Sequence, residues 1–193
     1  GNPTNPASAS PNVYQLGMAP EQDGVQLARR AYAAGHRRAL IIFAASDWGR
    51  RVSTATSNDW ARLGGKIVAQ TAVPVTGDHF THAIRRLFHL DHSAARAAAL
   101  KKVLTHRLPF KAIPRRRQDV DVIFLFCSRP QAQVINPQID FLYGHDLPVF
   151  STSHLYHGTQ DRLTDLDLDG IILGDMPWIL GSNGPRAFRA GGT

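Results

Sequence analysis

The residues best suited to chemistry in this chain of 193 are nine histidines and a single cysteine. His-x-x-His occurs three times, at His79/His82, His89/His92 and His154/His157. On a helix that spacing sets two imidazoles on one face, a start toward a zinc site. No glutamate follows His79 or His89 in the HExxH manner, and nine histidines produce such spacings readily by chance. Asp-x-Asp-x-Asp-Gly at 165–170 copies the opening of a calcium loop, but its twelfth position, which should be a bidentate glutamate, is Met176. A polar turn ahead of a strand accounts for that stretch better. Cys127 at a strand end could act as a nucleophile, yet with no base recognisable nearby a small buried thiol is the simpler reading. The chain lacks GxSxG, GxxxxGK(S/T) and GxGxxG, so acyl transfer, P-loop phosphoryl transfer and typical dinucleotide binding lose their usual signatures. The expectation is no catalytic residue, no cofactor and no metal.

Composition narrows the partners. The net charge of +7 favours anions, but the basic residues fall in short pairs along the chain, among them Arg29-Arg30, Arg50-Arg51 and Lys101-Lys102. A nucleic-acid groove wants that charge on one face with aromatic rings interleaved, so a solvated basic surface is expected and nucleic acid is not. No apolar run is long enough to cross a membrane, and no signal peptide is recognisable. One cysteine cannot form an internal disulfide, which leaves the redox compartment unread.

The elements that must position any site alternate. "PEQDGVQLARRAYAAGH" reads as a helix opened by Pro20 and closed by Gly35, with Val25, Ala28 and Tyr32 on one face and Leu27, Ala31 and Ala34 beside them. "ALIIFA" (39–44) is a buried strand, "SDWGRRVSTATSNDWARLGG" a capped helix stopped by Gly64-Gly65, and "KIVAQTAVPV" a second strand. The long helical pattern from Asp78 should break near Asp91-His92-Ser93. "DVIFLFC", "LPVFSTS" and "GIILGDM" supply three more strands, with "RPQAQVINPQIDFLYG" as a helix between the first two. Helices alternating with continuously apolar strands predict an α/β fold: an open parallel sheet with helices on both faces. Residues 13–180 form one lobe, while 1–12 and 181–193 read as linker or crossover segments, so the chain reads as a fragment.

Function in such sheets sits at the carboxyl ends of the strands. That edge gathers Ser46, Asp47, Trp48, Ser128, Thr152, Ser153 and Tyr156, whose hydroxyls, carboxylate and rings could line a cleft for a small ligand. Arg115, Arg116 and Arg117 mark the opposite edge, directly ahead of "VDVIFLF". They either pair with Asp119, Asp121 or a neighbouring loop, or form a docking surface for a partner.

Two stretches add a resemblance. Asp47-Trp48-Gly49 after a strand, Gly64-Gly65 closing the next helix and Asp78-His79-Phe80 opening another resemble type I periplasmic-binding-protein folds. "PRRRQDVDVIFLFCSRPQAQVINPQIDFLYGHDLPVFSTSHLYHGT", with "DLDGIILGDMPWIL", resembles the LppC family, outer-membrane lipoproteins known as penicillin-binding protein activators. The resemblance implies the second lobe of a periplasmic domain, tethered to the outer membrane through a lipid anchor absent from this chain. It implies a class A penicillin-binding protein as partner, stimulation of its transpeptidase and no catalysis by the lipoprotein itself. No motif carries the family's contact residues over. The alternative is a small-molecule receptor for an amino acid or sugar. A cleft crowded by Trp48 or Tyr156 favours the scaffold, and an open polar cleft favours the receptor.

Overall fold

A strand that is apolar at every position must be covered on both faces, and β3 (Val122–Phe126) meets that condition with all five residues buried. The structure is a computed structural model describing residues 19–75, 80–103, 115–155 and 166–174. Around β3 lie β1 (Arg38–Ala44), β2 (Lys66–Val73), β4 (Val149–Ser151) and β5 (Ile171–Leu173), joined in the order β2-β1-β3-β4-β5. Every pairing is parallel, with Ile41 opposite Phe124 and Phe124 opposite Phe150 across the centre.

Successive side chains on a strand point to opposite faces, so β1 and β3 each feed two cores. Ala39, Ile41, Val122, Phe124 and Phe126 pack against α1 (Pro20–Ala33) and α2 (Asp47–Arg62), which contribute Leu27, Ala28, Ala31, Val52 and Trp60. Trp60 stands edge-on to Phe124 at 5.3 Å and to Tyr32 at 5.9 Å. Leu40, Ile42, Ile123, Leu125 and Cys127 face the other way, against α3 (Phe80–Leu87), the start of α4 (Leu90–Val103) and α5 (Arg129–Ile139). Burial of these side chains on both sides of one sheet is the main stabilising contribution.

The helices end for local reasons. Gly35 follows α1 at φ +98°, a left-handed conformation that a side chain would strain. Gly49 in the first turn of α2 lies so close to the end of β1 that a Cβ there would come within 2.2 Å of the Ala44 carbonyl oxygen. That approach explains the glycine of the Asp-Trp-Gly turn.

Several sequence expectations change in detail. On α1 the buried positions are Asp23, Gly24, Leu27, Ala28 and Ala31, with Val25 and Tyr32 half-buried and Ala34 exposed. The break between α3 and α4 falls at Phe88-His89, where His89 takes φ +57°, ahead of the expected Asp91-His92-Ser93. Ser93 opens no helix; its hydroxyl accepts the Arg115 amide at 3.0 Å. The regular helix from Arg129 stops at Ile139, and residues Asp140–Gly144 form a wider π turn with Tyr143 at φ +69°. β4 keeps only three residues of the expected seven, because Ser153 is drawn into a short 3-10 turn with His154 and Leu155.

Candidate functional site

The sheet grows in one direction from β1 to β2 and in the other from β3 to β5, so the carboxyl ends of β1 and β3 flank the topological switch point. The candidate ligand residues after β1 and β3 are brought to this edge. Ser46 caps α2, its hydroxyl accepting the Gly49 amide at 3.1 Å. Asp47 is exposed and accepts from Arg50 at 2.5 Å. Trp48 lies half-buried against the His154 ring, 5.0 Å between centroids and tilted by 36°. Ser128 donates from both its amide and its hydroxyl to Gln131 Oε1 at 3.0 Å, while Gln131 Nε2 donates to the Pro74 carbonyl at 2.7 Å. One glutamine side chain thus ties the exit of β2 to the start of α5.

The end of β4 is closed in the same way. Ser153 donates its amide and its hydroxyl to Asp23 Oδ2, each at 3.0 Å, and Thr152 is buried with its hydroxyl unpartnered among the described residues. Asp23 is 4% exposed, and its Oδ1 has no hydrogen-bond partner among the described residues. Burial raises the Asp23 carboxyl above its ordinary pKa, against the Ser153 bonds that favour the charged form. Gly174 passes so close that a Cβ there would meet Asp23 Oδ1 at 2.3 Å. Tyr156 lies outside the described residues.

Among the described residues of this edge, the Thr152 hydroxyl and one Asp23 oxygen are the polar side-chain atoms left buried without a partner. The hydroxyls of Ser46, Ser128 and Ser153 are used internally, and the outward features are the Asp47–Arg50 pair and the Trp48–His154 stack. Cys127 is fully buried and its thiol is pushed up to about 12 by burial, which keeps it protonated and poorly nucleophilic at neutral pH. His89 and His92 stand 5.4 Å apart, but among the described residues no group of three histidine, cysteine or carboxylate side chains is placed to hold a metal.

At the opposite edge the arginines do not act as one surface. Arg115 is exposed. Arg116 is buried: its Nε donates to the Tyr143 carbonyl at 2.8 Å, its Nη1 to the Arg117 carbonyl at 2.8 Å, and its Nη2 pairs with Asp146. Arg117 forks onto Asp119 at 2.7 and 2.9 Å, and that hydrogen bonding lowers the Asp119 carboxyl to about 2. Asp121 accepts the amides of Arg37 and Arg38 at 3.0 to 3.1 Å, joining the entries of β1 and β3. Of the two readings of this cluster, Arg116 and Arg117 follow the internal pairing, with Asp146 and Asp119, and hold the entry to β3 in place.

Asp23 was not singled out from the sequence, where acidic residues near Pro20 suit the positive end of a helix. Its position was readable nonetheless, because Asp23, Leu27 and Ala31 recur at intervals of four on one stripe.

This all-parallel sheet, with its switch point between β1 and β3 and helices on both faces, is one lobe of a type I periplasmic-binding-protein-like fold. A putative branched-chain amino acid ABC transporter from Rhodospirillum rubrum superposes with a TM-score of 0.55 at 20% identity, covering 81% of this chain and 37% of that one. Full-length LpoA from Haemophilus influenzae gives 0.61 at 14% identity, over 88% of this chain and 26% of its own. The chain belongs to the LppC family, whose model, described as LppC putative lipoprotein, matches residues 2–189. It is 28% identical over 174 residues to the penicillin-binding protein activator LpoA of Vibrio antiquarius (strain Ex25), covering 88% of this chain and 28% of that protein. The chain thus spans about a quarter of the length of such relatives.

Proposed function

We propose that this chain is the non-catalytic regulatory lobe of an envelope lipoprotein that binds a class A penicillin-binding protein and stimulates its transpeptidase. The lobe at 13–180 works in the periplasm, and the lipoprotein is held at the outer membrane by its lipid anchor. Family membership supports the reading, as does the naming of its Vibrio relative as a penicillin-binding protein activator.

The observation that carries it is the internal use of three hydroxyls at the carboxyl edge, those of Ser46, Ser128 and Ser153. A receptor needs those groups free to bind an amino acid or sugar, whereas here Ser46, Ser128 and Ser153 are bonded within the lobe and Trp48 is stacked on His154. An activator needs no reactive group. It needs only to bind the active conformation of its synthase better than the inactive one, with each tenfold of preference equal to about 1.4 kcal/mol.

The test is calorimetric titration of the chain into the detergent-solubilised class A synthase of its own organism at low and moderate salt, alongside a crosslinking assay. Saturable binding with a raised transpeptidase rate is expected. Absence of binding by a folded chain, with an amino acid or sugar raising its melting temperature instead, would reverse the choice in favour of the receptor.

A further inference from the structure

Two imidazoles and a guanidinium meet where α3 turns into α4. His89 and His92 stand edge to face with ring centroids 5.4 Å apart, and Arg117 brings its Nη1 to 3.4 Å from His89 Nε2. The backbone is tied at the same place: the Arg117 amide donates to the Phe88 carbonyl at 3.0 Å, and the Arg115 amide to the Ser93 hydroxyl at 3.0 Å. The corner is thus joined to the segment ahead of β3 at three points. Phe88 and Leu90 on either side are buried in the core, whereas His89 is exposed, with its backbone in the left-handed region at φ +57°. Residues other than glycine seldom adopt that conformation, and it persists where neighbouring contacts hold it.

The contact between the two side chains fixes a protonation state. A guanidinium has N–H donors and no acceptor, so Arg117 needs the Nε2 lone pair of a neutral ring that carries its proton on Nδ1. Arg117 is not free to turn aside, because its Nε and Nη2 are forked onto Asp119 at 2.7 and 2.9 Å. Protonating His89 therefore sets donor against donor and cation against cation. Among the described residues, the charged groups that act on His89 are Arg117 and Asp119 from the segment ahead of β3, and His92 and Arg96 from α4. Only Asp119 favours the imidazolium, and both its oxygens already accept from Arg117. Asp91 is engaged by Arg85 of α3 at 3.2 Å. The balance, with burial first and the Arg117 charge second, lowers the His89 ring below its ordinary pKa of 6.5.

We infer that the α3–α4 corner is a pH-operated latch: neutral His89 holds the start of α4 to the entry of β3, and acidification to about pH 5 releases it. The sign follows from the direction of the shift. A ring that is harder to protonate in the fold than in the unfolded chain gives its full contribution above 6.5, and that contribution is lost as pH falls through the lower folded value. The loss is local, because the joint it weakens lies at an exposed corner while Phe88 and Leu90 stay anchored in the core. The latch concerns how the lobe answers its surroundings and is independent of the proposed synthase partnership.

The experiment follows backbone amide exchange by NMR at about pH 7.5 and about pH 5, corrected for the intrinsic exchange rate, in the whole chain, in His89→Gln and in His92→Gln. In the parent the Arg117 and Ser93 amides, bonded to the Phe88 and His89 carbonyls, should lose about threefold or more of their protection on acidification, while the Ile41 amide at the centre of the sheet keeps its own. His89→Gln can still accept from Arg117 and does not titrate, so it should show no such loss; His92→Gln should retain it. In the parent the His89 ring protons should titrate below 6.5, a readout that needs no variant to fold. A loss that is absent from the parent, equal at Ile41, persistent in His89→Gln or abolished in His92→Gln overturns the latch, and so does a His89 ring that titrates at or above 6.5.

Discussion

Truncating Arg116 should unfold this lobe far more readily than truncating its neighbour Arg115, though the two are adjacent and carry the same charge. In Arg116→Ala the Tyr143 and Arg117 carbonyls lose a charged donor, and Asp146 loses its partner. A hydrogen bond to a charged group contributes about 1.5–3 kcal/mol, and part of each loss is recovered where water reaches the carbonyl. The Asp146 side chain is 55% exposed, so its freed charge returns to water and adds about 1 kcal/mol or less. Together with the lost packing of the buried arginine stem, the cost should be about 3 kcal/mol, or roughly 6–12 °C in melting temperature for a domain of this size. Arg115→Ala, at an exposed position, should stay within about 0.5 kcal/mol. Urea unfolding of the parent and both variants, followed by tryptophan fluorescence, gives the comparison. Equal stability of the two variants would refute the assignment of Arg116 as an internal tether.

Two further outcomes follow from buried groups. Because the Asp23 pKa is raised in the fold, its contribution is fully present below the ordinary carboxyl value of 3.8 and is lost as pH climbs through the folded value. Asp23→Asn should therefore gain stability relative to the parent as pH rises toward neutrality, and a variant that instead loses stability relative to the parent over that range in paired unfolding curves would contradict the burial of this carboxylate. Asp119 acts in the opposite sense, its contribution being lost as pH falls toward about 2, but it is common to both proteins and cancels in the difference. Cys127 should resist a maleimide at pH 8 in the folded chain and react within minutes in denaturant; rapid labelling of the native protein would place the thiol in solvent.

The layout of the fold was legible because its signals are local. Continuous apolar runs of strand length such as "ALIIFA" and "VIFLF" suit strands covered on both faces, and Gly35 and Gly64 stop helices through a left-handed backbone that other residues rarely adopt. The edge that gathers Ser46, Ser128 and Ser153 followed from strand order alone. What those side chains do was not legible, since hydroxyls free for a ligand and hydroxyls capping a helix look alike in sequence, and the partner of Ser153 lies 130 positions away at Asp23. The same limit applies to the arginines: three consecutive identical residues end in different surroundings, one exposed, one buried and one forked onto Asp119.

The Asp23 joint also has a mechanical reading. Near the start of α1 the chain enters the lobe, and at Gly174 it passes beyond β5; both points meet at one carboxylate, with Ser153 held between them. The Gly174 amide is further bonded to the Ser151 carbonyl at 2.9 Å, and Arg30 of α1 reaches the Leu173 carbonyl at 3.1 Å. A pull along either length of chain loads these contacts together, so that β5, only three residues long, is not peeled off one bond at a time. Tension is shared across the lobe like a lap joint and not a zip.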